Sequence, residues 1–163
     1  MRTVVRIAAS SATVLAVASL ARADAPPAQY GFFNSNDPTI YDNGTKLRWQ
    51  RIPAQSTMNF AVAASYCAGA SIGLFASGWR VPSYKELLTI VDEVPHLEYR
   101  GNALVPVAID GNAFPGTPVD NYFWTSSVFP KDATFGYAVD FKDGSAYQNP
   151  QGGSAYVRCV HDG

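Results

Sequence analysis

Charge is scarce in this chain: 15% of its 163 residues are Asp, Glu, Lys or Arg, and neither sign forms a run. A protein that tracks a phosphate backbone needs clustered Lys and Arg to displace counterions, so nucleic acid is not an expected partner. Histidine is scarcer still. His96 and His161 are the only two, and neither H-x-x-x-H nor H-E-x-x-H spacing occurs, so no metal or cofactor is expected. Cys67 and Cys159 are the only cysteines, far too widely separated for a zinc knuckle. Internal repeats and low-complexity tracts are lacking, which excludes solenoids and arrays. What remains is a chain rich in Gly, Pro and aromatics, with 13% Phe, Trp and Tyr. That balance suits one loop-rich domain with short strands rather than a helical bundle or a disordered tail.

The N-terminus carries the longest apolar run. Arg2 and Arg6 precede Ile7 to Leu20, and Ala21-Arg22-Ala23 follows with small residues. A basic start, a short apolar stretch and an A-x-A site read as an export signal over residues 1–23. The run is too short to cross a bilayer comfortably, so no membrane span is expected after cleavage. Cleavage removes three arginines and no acids, leaving 9 basic residues against 13 acidic, a formal charge of −4. That charge is unsuited to an anionic membrane surface. The expected address is exported, either periplasmic or secreted.

Residues 24–39 read as a flexible lead-in and 40–163 as the domain. Ile40-Tyr41 and Leu47 to Gln50 are strand candidates around an Asp42-Asn43-Gly44 turn. Asn43-Gly44-Thr45 also fits a glycosylation acceptor pattern, but the Asn-Gly pair reads better as turn chemistry. Ser56 or Thr57 is a candidate cap for a helix to Ala68, whose Phe60, Ala64, Cys67 and Ala68 recur at helical spacing. Ser83-Tyr-Lys-Glu86 is a capping box, with Tyr84, Leu87, Leu88 and Val91 on one face of the helix it opens. Residues 93–121 have four prolines and no sustained period, which predicts a long irregular loop. Strands are expected at Tyr122 to Ser127, Phe135 to Phe141 and Ala155 to Val160.

Two cysteines downstream of an export signal most simply form one disulfide, Cys67 with Cys159. It would close about 90 residues, worth roughly 4–5 kcal/mol in the chain-entropy description. Unlinked thiols or a shared metal are the alternatives. Gly69-Ala-Ser71-Ile-Gly73 matches G-x-S-x-G, yet a helix precedes it where a nucleophile elbow needs a strand, so a helix-ending glycine loop is expected. Trp49, Trp79 and Trp124 lie in strand-like segments and are expected in the core. Arg80 and Arg158 are expected to pair with Glu86 or Asp140 as structural ions. The 93–121 segment gathers polar and aromatic side chains suited to a saccharide, among them Tyr99, Arg100, Asp110, Asn112 and neighbouring Tyr122, with Tyr147 on a nearby turn.

Several stretches taken in order resemble the Lcl C-terminal domain family of bacterial exported proteins. They are Asp42 to Gln50, Tyr66-Cys67, Gly78-Trp-Arg-Val-Pro-Ser83 with Glu86-Leu87, Phe114-Pro115, Phe123-Trp-Thr-Ser-Ser127, Val139-Asp-Phe141 with Asp143-Gly144, and Val157-Arg-Cys-Val160. The layout also resembles C-type lectin-like domains, where a cysteine on the first helix pairs with one on the last strand. That resemblance implies an α+β fold with two helices packed on a small antiparallel sheet and a long irregular loop. The calcium-binding triplets of calcium-dependent lectins are absent, so sugar binding through calcium by that route is not implied, and a calcium ion on the loop oxygens stays open. The family includes terminal domains of collagen-like adhesins that engage sulfated glycans, although this chain has no Gly-X-Y tract. The resemblance implies a non-catalytic module that binds a glycan or another cell-surface macromolecule. A structural role in an envelope assembly stays open. So does an enzyme on a scaffold like that of formylglycine-generating enzymes, which rely on reactive cysteines.

Overall fold

The computed structural model describes residues 25–26, 28–31, 34 and 36–163. The export-signal reading of residues 1–23 lies outside them. Nine strands and two short helices follow one another along the described chain. Strands β1 (Tyr30–Gly31), β2 (Thr39–Asp42), β3 (Leu47–Gln50) and β9 (Val160–Asp162) form a four-stranded antiparallel sheet in the order β1-β2-β3-β9. Strands β4 (His96–Arg100) and β5 (Ala103–Val107) form a separate hairpin, and β6 (Phe123–Val128), β7 (Phe135–Val139) and β8 (Ala146–Pro150) a third sheet. Helix α1 spans Phe60–Ala68 and α2 spans Tyr84–Leu88.

The fold is therefore mostly β, and the expectation of a C-type lectin-like α+β fold, two helices on one small sheet, is overturned. Two physical causes account for the error. Helix α2 starts on its capping box as read: Ser83 Oγ accepts from the Glu86 amide at 3.3 Å, and Glu86 Oε2 accepts from the Ser83 amide at 2.7 Å. It stops after five residues. Ile90 and Val91 then donate to carbonyls three residues back, Leu87 and Leu88, so tight turns carry the same apolar face onward without a helix. The second cause is the 93–121 segment. It is not an irregular loop throughout, because the β4–β5 hairpin occupies its first half. Pro106 sits within β5, an edge position where a missing amide costs nothing. Gly101, at φ +62°, makes the left-handed turn between the two strands.

Helix α1 ends where expected but starts later. Asn59, not Ser56 or Thr57, is the cap, its side-chain oxygen accepting from the Val62 amide at 3.0 Å. Ala63 and Cys67 are its buried residues, while Ala64 is exposed. Ser71 lies in the turn after α1, which closes through an Ile72–Phe75 bridge. That is not the strand-to-helix corner of a nucleophile elbow.

Cys67 and Cys159 are bonded, with Cα atoms 5.5 Å apart and both residues fully buried. Around them Ala63, Trp79, Val81, Trp124, Ala138 and Val157 form one apolar cluster. A second cluster joins Ile40, Trp49, Leu87, Val107, Phe114, Phe123, Phe141 and Val160 across the sheets. All three tryptophans are core residues as expected, Trp49 and Trp124 in strands and Trp79 outside one.

The stretch from Ala155 to Cys159 ties these parts together. Only its neighbour Val160 enters a named strand, because each residue pairs with a different element. Ala155 exchanges bonds with Met58, the Trp124 amide donates to Tyr156 oxygen, and the Ala54 amide donates to Val157 oxygen. At Cys159 the carbonyl accepts from the Gln50 amide, and its own amide donates to Gln50 Oε1 at 3.0 Å. A single extended segment thus satisfies its backbone groups against several partners.

A candidate ligand-binding groove

The two faces of the β4–β5 hairpin have unequal chemistry. Strand alternation puts His96, Glu98 and Arg100 on one side, opposite Val107, Val105 and Ala103. Leu97 and Tyr99, opposite Pro106 and Leu104, take the other side. The charged side is half-buried and the apolar side is exposed, with Leu97 at 65%, Tyr99 at 76% and Leu104 at 51%. This inverts the usual arrangement of a strand laid on a core.

The charged side faces residues 110–116 across a groove of about 660 Å³, a volume within the usual range of small-ligand sites. Its charges are organised along β4. Glu98 Oε1 lies 3.0 Å from His96 Nε2, and Glu98 Oε2 accepts from Arg100 Nη2 at 2.8 Å. Asp92 approaches the other ring nitrogen of His96 at 3.9 Å. Across the groove, Gly111 has no side chain to spare. A Cβ there would come within 2.7 Å of Glu98 Oε1, so the glycine makes room for the carboxylate.

The opposite wall is a turn set by Asp110. Its Oδ1 accepts from the amides of Asn112 at 2.8 Å and Ala113 at 3.1 Å, and its carbonyl accepts from the Phe114 amide. Arg51 holds this turn from behind, donating to the carbonyls of Asn112 at 3.1 Å and Ala113 at 3.3 Å. Phe114 is fully buried and meets Tyr30 edge-on at 5.2 Å. Burial holds the Tyr30 phenol well above its ordinary range, with Asp42, Asp92 and Asp110 adding to that effect.

Arg158 anchors the far end of the wall. Fully buried, it donates through Nη1 to the carbonyls of Gln50 at 2.9 Å and Arg51 at 2.6 Å, and through Nη2 to Thr117 Oγ1 at 2.5 Å. Its guanidinium stacks over Phe114 at 4.6 Å. No salt bridge to it occurs among the described residues, contrary to the expected acidic partner. Burial lowers its pKa to about 9, opposed by Tyr30, so it stays charged at neutral pH. Arg80 does meet Glu86 as expected, at 2.8 Å, and also Asp162 at 2.6 Å.

Of the six residues read as ligand contacts, Tyr99, Arg100, Asp110 and Asn112 border this groove. Tyr122 and Tyr147 do not border it. They pack against each other, ring centroids 4.4 Å apart, on the sheet that carries β8. Sequence reading missed Glu98 and Gly111 and discounted His96. The available signal was His-x-Glu-x-Arg, three polar residues at the period of a strand. A segment taken as irregular gives no reason to apply that period.

What the groove offers is a set of short-range polar groups. The Asn112 side chain is exposed, with no hydrogen bond among the described residues, and Asp110 keeps its second carboxylate oxygen. Arg100 Nε is buried without a partner. Glu98 is already bridged. Among the described residues no group of three or more His, Cys, Asp and Glu is placed to hold a metal ion.

The family model described as the Lcl C-terminal domain matches residues 38–161. No curated protein matches the chain.

Proposed function

The chain belongs to the Lcl C-terminal domain family, and from that premise we propose that it is a non-catalytic binding module whose groove beneath the β4–β5 hairpin takes a glycan. One observation carries this reading. Arg100, Asp110 and Asn112 converge on a groove of about 660 Å³ with unspent donors and acceptors, and exposed Tyr99 stands at its border. Vicinal hydroxyls both donate and accept, which suits a carboxylate oxygen beside an amide. A tyrosine face suits the C–H side of a sugar ring. A bridged carboxylate with no adjacent nucleophile is better suited to holding a ligand than to transforming it.

The working compartment we propose is outside the cytoplasm. The buried disulfide supports this, since such a bond persists where thiols are oxidised. Both of the chain's cysteines are consumed in it, which leaves no thiol for oxidase chemistry of the formylglycine-generating kind. No helix among the described residues is long and apolar enough to cross a membrane.

A glycan array probed with the folded, oxidised protein tests the proposal. Discrete sugar hits are expected, lost in Asn112→Ala and weakened in Tyr99→Ala while the thermal midpoint stays put. Both side chains are exposed, so folding is not at stake. A blank array, or hits that survive both substitutions, would overturn the reading.

A further inference from the structure

Arg100 borders two grooves. The first is the one just described. The second, of about 330 Å³, is lined by Arg100 together with Val105, Pro118, Val119, Asp120 and Lys142. Arg100 is the residue common to both linings, steadied by Glu98 at 2.8 Å. Its Nε is buried, so the guanidinium's terminal nitrogens are the donors a ligand would meet. We propose that the two grooves are consecutive subsites of one track, and that the ligand is a neutral oligosaccharide spanning Arg100. This rests on the glycan reading of the first groove.

The second groove has the mixed character of a sugar site. Val105, Pro118 and Val119 give an apolar floor, which fits the C–H face of a pyranose, while Arg100, Asp120 and Lys142 give donors and acceptors for its hydroxyls. Its size falls near the lower end of small-ligand sites, enough for a compact unit rather than a second large ligand. The charge pattern selects a neutral chain. Arg100 is matched by Glu98, Lys142 faces the same groove as Asp120, and Asp110 adds a negative charge to the first groove. A polyanion would meet as much repulsion as attraction along this track. The Arg100–Glu98 pair costs a neutral hydroxyl little to approach, because the pair need not be broken.

Two matched neutral series serve as probes: N-acetylglucosamine with chitotriose, and glucose with cellotriose. Binding is followed by methyl and amide NMR on the folded, oxidised chain. In at least one series the trimer is expected to bind about tenfold more tightly than the monosaccharide. The monosaccharide should shift Asn112 alone, and the trimer should also shift the methyls of Val105 and Val119. In the Asp120→Ala/Lys142→Ala double variant, both positions being exposed, trimer affinity should fall to the monosaccharide level with the monosaccharide unchanged. Monosaccharide binding with no gain for the trimer, or silent Val105 and Val119 methyls, would overturn the extended track and leave the single-sugar groove standing. Absence of any shift at Asn112 with either series would sink the track together with the glycan reading beneath it. A sulfated trimer that binds more tightly than its neutral counterpart would overturn the neutral assignment.

Discussion

The hairpin and the disulfide-centred core treat the alternation of a strand in opposite ways. On β6 and β7, Phe123, Trp124, Ala138 and Val139 are fully buried, and only Ser126 and Val128, at the far end of β6, are exposed. On β4 and β5, Leu97, Tyr99 and Leu104 face outward while Glu98 and Arg100 turn in. The core gains by removing apolar area from water. Strand β4 forgoes that gain to hold charges over a turn, while Val105 and Val107 of β5 still pack on the core. The inward polar groups of β4 are the physical support for the binding site proposed above.

The largest expected effect falls on the core side. Cys67→Ser/Cys159→Ser should lower stability by about 4–5 kcal/mol, read as a shift in urea midpoint between the variant and the oxidised parent. Trp124→Ala, which removes a fully buried ring whose Nε1 donates to Met58 oxygen at 2.7 Å, should cost about 3–5 kcal/mol in the same measurement. If either change were nearly silent, the contrast between a load on the core and a load on the hairpin would fail.

Arg158 joins the two regions, since it sits beside Cys159 and grips Thr117 and the Arg51 carbonyl. Arg158→Met should cost about 2–3 kcal/mol, because several buried acceptors lose their donor. Hydrogen exchange should then accelerate at the Asn112 and Ala113 amides before it does at the Trp124 amide. Uniform acceleration would mean that the groove wall is not separately held.

A smaller effect is expected on the pH axis. Arg80 hydrogen bonds hold Glu86 down from 4.5 to about 2, against the opposing effect of burial. A carboxyl lowered in the folded state contributes its stability above the unfolded value, and loses it as pH falls through the folded one. Stability should therefore decline between about pH 4.5 and 2, by about 1 kcal/mol once solvent screening of this half-exposed pair is allowed for. Glu86→Gln should flatten that slope in acid titrations followed by circular dichroism. The smallest effect belongs to the hairpin's outer face. Leu97→Ser should change stability by no more than about 0.5 kcal/mol, although leucine is usually a core residue. A loss of several kcal/mol would show that this face is covered.

Local signals were legible wherever a residue's role is settled by its near neighbours. The Ser83 capping box, the Asp42-Asn43-Gly44 turn and the strands at Leu47 and Phe123 could be read directly, because each is decided within a few bonds of backbone. The hairpin was unreadable for the opposite reason. Along β4 the alternation is correct in period and reversed in polarity, and β5 contains Pro106, so the usual local indicators of a paired strand are weakened. Gly111 could be seen to be a turn residue, but not to be the space into which Glu98 fits.

By itself the sequence determined that its two cysteines would pair and that the tryptophans would be inside, since these follow from cysteine count and hydrophobicity. Only the tertiary structure decided which polar residues share a groove. Asp110 and Arg100 are brought together by how a hairpin lies over a turn, and Tyr122 and Tyr147 are carried elsewhere on another sheet. Such proximity depends on long-range packing, which no local run of residues encodes.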